Sequence, residues 1–119
     1  MKRLLRSACV LGMLGSFAGL AFGADVDGIL IDKMCSAKAL SGGQKAAKEH
    51  DRDCATAAAC QKSGYGIYTS DGKFLSFDAA GNTKAIAALK ASKKTDDLAV
   101  KVTGDVQGDT IKVASLKLQ

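Results

Sequence analysis

The chain has 119 residues, 17 basic and 12 acidic side chains, one histidine, four cysteines and no proline or tryptophan. "MKRLLR", the apolar run "ACVLGMLGSFAGLAF" and the small residues around "AFG" have the three-part layout of a secretory signal peptide over residues 1–23, with cleavage after Gly23. The 96 residues that follow carry 14 basic against 12 acidic groups, a balance that gives no case for a nucleic-acid or anionic-membrane partner.

Residues 24–119 are the right size for one domain with one core. Nothing after the leader is apolar enough for a transmembrane segment, and a monomer is expected. A lipoprotein reading is rejected because the apolar run follows Cys9 rather than preceding it. Cys9 leaves with the leader, so Cys35, Cys54 and Cys60 remain, an odd number in an oxidising compartment.

In chain order, "VDGILID" (26–32) reads as a buried strand. A polar insert over 36–63 follows, rich in Ala, Lys, Gly and Ser, broken at "SGG" and helical in propensity from His50 to Gln61. "YGIYT" and "KFLSFD" form a hairpin about Asp71-Gly72. "AAGN" interrupts the chain, and "TKAIAALKAS" is a short helix capped by Asn82 or Thr83, with Ile86 and Leu89 on one face. In the last hairpin, Leu98, Val100 and Val102 alternate with polar neighbours, as do Ile111 and Val113. Leu116 and Leu118 then fall on the other parity, which predicts a bulge near Ala114-Ser115.

Five strands with a helix between the third and fourth is the element order of an OB-fold barrel. The fold class expected is therefore mainly β, OB-like, with a helical Cys-rich insert between strands one and two. A sheet-plus-helix α+β domain gives the same order of elements. "DGILIDKMC", the His-x-x-x-Cys-Ala segment, "SGYGIYTSDGKFLSFD" and "VKVTGDVQGDTIKVASLKL" together resemble a group of small exported bacterial proteins of unassigned function. The resemblance implies an OB-like β-domain with a Cys/His insert outside the cytoplasm, and it implies no activity.

On a continuous helix over 50–61, His50 and Cys54 share a face, while Cys60 lies about 240° and about 9 Å further on. Cys54 and Cys60 then cannot pair, since a disulfide needs Cα atoms within about 7 Å. This leaves three readings. Cys35 bonds Cys60 or Cys54 and staples the insert, closing 25 or 19 residues, for about 3 kcal/mol. Or Cys35, His50, Cys54 and Cys60 form a Cys₃His metal site for zinc or, with Met34 as a thioether donor, for copper. Against this second reading, no CxxC knuckle is present. Or Cys54 stays free beside His50 as a redox-active thiol, with Asp51 or Asp53 beside the imidazole. No CxxCH offers covalent haem attachment.

Tyr65, Tyr68, Phe74 and Phe77 are expected in the core. "KASKKTDD" reads as a solvated connection, and "SDGK" as a turn without calcium-loop acids. The expectation is a non-catalytic exported module with a stapled insert that binds a soft metal, a thiol-based redox or stress protein being the alternative.

Overall fold

A computed structural model describes residues 23–119; the leader up to residue 22 lies outside the described residues. Five strands make one mixed sheet: β1 (Ala24–Asp32), β2 (Tyr65–Thr69), β3 (Phe74–Phe77), β4 (Ala99–Gln107) and β5 (Thr110–Leu118). The pairing runs β1-β2-β3-β5-β4, and β4 pairs back onto β1, so the ring of hydrogen-bonded strands closes. All neighbours are antiparallel except β3 and β5, which pair in parallel through Ser76 and Phe77 against Thr110 and Ile111. No helix among the described residues is long and apolar enough to cross a membrane.

Helices α1 (Ser36–Glu49), α2 (Arg52–Thr56) and α3 (Ala58–Ser63) lie between β1 and β2, and α4 (Ala79–Ala91) lies between β3 and β4. The expectation of a mainly β chain is corrected, since helix slightly exceeds strand in the described residues. The insert is helical almost throughout and α4 is longer than expected.

The alternation seen in the sequence sets the core. Leu30, Ile67, Val100, Val102 and Ile111 are buried on the inner face of the ring, with Leu98 buried just before β4, and Ile29 is buried on the other face, paired with Tyr68. Tyr65, Tyr68 and Phe77 are buried too, and Phe74 is half-buried against them, as expected for core aromatics. The predicted slip in β5 is a bulge: Thr103 pairs with Ser115 while Gly104 pairs with Val113, leaving Ala114 without a partner. Gly104 is required there, because a Cβ on it would run into the Lys112 carbonyl oxygen.

Helix α4 starts earlier than its sequence suggests. Asp78, not Asn82 or Thr83, is the N-cap and accepts from the Gly81 N–H at 3.0 Å. "AAGN" is therefore helix rather than a break, and Gly81 lets the helix close onto Phe77 and Val113. Asn82 is used elsewhere, its Oδ1 accepting from the Tyr65 N–H at 2.8 Å. The hairpin between β2 and β3 turns over Ser70, Asp71 and Gly72, one residue longer than expected, with Gly72 at φ +83°.

The insert faces the core with only three buried residues, Ala39, Ala47 and Ala55. Polar ties hold it down. The Arg52 N–H donates to the Thr95 carbonyl at 2.7 Å and the Asp97 N–H to that of Lys48 at 2.9 Å. Beyond a kink at Gly43 (φ +74°), the Gln44 side chain donates to the Thr69 carbonyl at 3.0 Å. The segment read as a solvated connection is thus also the insert's docking strip.

Candidate functional site

The continuous helix expected over 50–61 is not formed, and the correction changes the site. His50 has extended backbone (ψ 119°) and ends α1, and α2 begins afresh beyond it, capped by the Asp51 carboxylate on the Cys54 N–H at 2.7 Å. A second break falls at Ala57 (ψ 144°). His50 and Cys54 are therefore not one turn apart on a helix, and the helical argument separating Cys54 from Cys60 no longer applies.

The residue that organises the site is Asp32. It ends β1 and is fully buried, and its Oδ2 accepts from the Cys35 N–H at 3.1 Å. Its Oδ1 stands 2.8 Å from His50 Nε2, a nitrogen whose side chain is only 8% exposed. At that separation the two form a buried carboxylate–imidazole contact of imperfect hydrogen-bond geometry.

Cys35 completes a cluster with these two. Donor atoms of Asp32, Cys35 and His50 all lie within 4.8 Å of one another. Burial pushes the Asp32 carboxyl up, but His50 and the Cys35 N–H outweigh it and hold it below the usual carboxylate range. The thiols move the other way. Burial, then the Asp32 charge, raises Cys35 and takes Cys60 to about 11. Cys54 is exposed, and its hydrogen bond to Asp51 raises it. Burial likewise takes Tyr65 to about 12, and its hydroxyl donates to the Ala55 carbonyl at 2.6 Å.

Of the four ligands expected, the structure brings Cys35 and His50 together around an unexpected third, Asp32. Cys60, on α3, is half-buried and lies outside the cluster of three, whereas Cys54 sits at the surface. Cys35, Cys54 and Cys60 are all free thiols, so the expected staple between Cys35 and Cys60 or Cys54 is not formed here. Met34 is 60% exposed. A signal for Asp32 was present in the sequence: an acid closes an apolar strand three residues before a cysteine, in "ILIDKMC".

A cavity of about 250 Å³ lies against the cluster, lined by Cys35, Lys38, Glu49, His50, Asp51 and Cys54 among others. All three thiols are raised above their ordinary value and so are less readily ionised, and the thiolate is the form that both nucleophilic attack and metal ligation use. A carboxylate, an imidazole and a thiol converging on one point are all groups able to ligate a metal ion. Compared with known proteins, the chain matches no family model, no curated protein and no solved structure.

Proposed function

We propose that this is a small exported, non-catalytic module that binds a divalent metal, zinc first, through Asp32, Cys35 and His50. The observation that carries it is the convergence of the Asp32, Cys35 and His50 donor atoms within 4.8 Å of one another, with the Asp32–His50 pair buried. Zinc bonds of about 2.0–2.3 Å set tetrahedral ligand atoms about 3.3–3.8 Å apart. The 2.8 Å pair has to open only slightly to take an ion between its members.

The donor set speaks for zinc over Cu(I), which favours soft ligands and gains little from a carboxylate. Met34, on which the copper reading leans, is turned largely to solvent. Cys60, half-buried and with its thiol raised by burial and then by the nearby Asp32 charge, is the candidate for a fourth ligand. The scaffold we propose is an OB-like barrel, supported by the closed ring order, the helix between β3 and β4, and the parallel β3–β5 pair. Export rests on the leader-like first 23 residues.

The test is elemental analysis of reduced protein after zinc loading and desalting. About one zinc per chain is expected, as in structural zinc sites, and Asp32→Ala or His50→Ala should abolish it. Wild-type protein that retains no zinc overturns the reading.

A further inference from the structure

This inference rests on the zinc reading and concerns how the ion comes and goes. Asp32 is fully buried and His50 nearly so, which closes the core side to an ion. The cavity of about 250 Å³ supplies the other side, because Cys35 and His50 form part of its wall. Cys54 lines the same cavity and is exposed to solvent. The capping bond from the Cys54 N–H to Asp51 fixes its place at the start of α2. Glu49 and Asp51, on the same wall, favour the approach of a cation, with Lys38 as the single opposing charge among the lining residues.

A zinc site meant only to brace a fold is closed by four ligands. Here only three donors are gathered, and a solvent-facing thiol, Cys54, lines the cavity beside two of them. We propose that Cys54 is the entry ligand through which this site exchanges zinc with thiol-bearing carriers, so that the protein passes metal on rather than merely storing it.

The step balances without any change of oxidation state. A carrier's zinc–thiolate bond breaks as a Cys54–zinc bond forms. The Cys54 proton goes to the departing carrier thiolate. As the Cys54–zinc bond breaks in turn, the ion moves to Asp32, His50 and Cys35, and the proton displaced from Cys35 passes through solvent to Cys54. Any carrier thiolate still bound leaves with a proton taken from solvent. Release runs the same course backwards.

A ligand used only in passing lowers the barrier in both directions and leaves the end states alone. The experiment uses the full chain, reduced, with zinc–glutathione as donor and excess glutathione as acceptor. Affinity is measured separately by competition against a chromogenic chelator. For Cys54→Ser and Cys54→Ala, uptake and release should both slow about tenfold, with affinity falling by less than the roughly tenfold that losing a group of the metal site itself costs. Unchanged rates would make Cys54 a bystander and overturn the proposal. A fall in affinity of about tenfold or more would make Cys54 a resident ligand and overturn it equally. Both results leave the zinc reading standing, whereas a wild-type protein that takes up no zinc ends both.

Discussion

Asp32 Oδ1 and His50 Nε2 face each other across 2.8 Å, one at the end of the first strand and the other at the hinge between α1 and α2. The contact joins the ring to its insert at a point closed to water. Truncating the imidazole in His50→Ala leaves a buried carboxylate with one fewer counterpart. We expect metal-free His50→Ala to lose about 1–3 kcal/mol, the cost of stranding a buried polar group, read as a lower urea midpoint. An unchanged midpoint would mean that the pair adds nothing without metal.

Tyr65 makes a second link between ring and insert through the Ala55 carbonyl. Tyr65→Phe keeps the ring packing and leaves that carbonyl unpaired, for a loss of about 1–2 kcal/mol. Amide exchange should quicken in α2 more than in β2. A uniform increase across both would contradict a local role for the hydroxyl.

Asp78 contributes to the acid side of the stability profile. Burial raises its carboxyl, but the Val113 and Gly81 N–H groups outweigh that and hold it below the ordinary value. A folded value lower than the unfolded one gives stability that is complete above about pH 3.9. That stability is lost as pH falls through the folded value. Asp78→Ala should cost about 1–2 kcal/mol near neutral pH, and the gap to wild type should close on acidification. A gap that widened in acid would reverse the assignment.

Gly104 sits opposite the bulge, where no side chain fits beneath the Lys112 carbonyl. Gly104→Ala should cost about 1–3 kcal/mol, as overpacking does, and should lower the thermal midpoint. Retention of the wild-type midpoint would mean that β5 can shift to make room.

The strands were legible in the sequence because their cause is local. Alternation from Leu98 to Val102 and at Ile111 and Val113 placed the inner face, and the change of parity at Leu116 located the bulge to within a residue. What failed was decided at a distance. Asp78 to Gly81 looks like a break, yet it caps a helix because Gly81 fits against Val113. "HDRDCATAAACQ" contains no glycine or proline, so nothing in it announces the breaks at His50 and Ala57. The first follows from Asp51 capping a new helix, a pattern visible only with the cap in mind. The insert, poor in large apolar residues, is held down by three buried alanines and a handful of backbone hydrogen bonds. Asp32 was read as the end of a strand, and its burial beside His50 depends on how the whole insert folds back.

The pairing of β1 with β4 has a consequence for how the chain comes to be folded. Ala24 meets Gly104 and Ile29 meets Ala99, partners separated by most of the described sequence. Such closures are made late and slowly, after a large loss of chain freedom. A ribosome must therefore deliver nearly all of these residues before the ring can shut, and until then Asp32 has no settled position from which to meet His50. A nascent chain halted before β4 would hold its three thiols in an open segment, reactive toward any passing metal or oxidant.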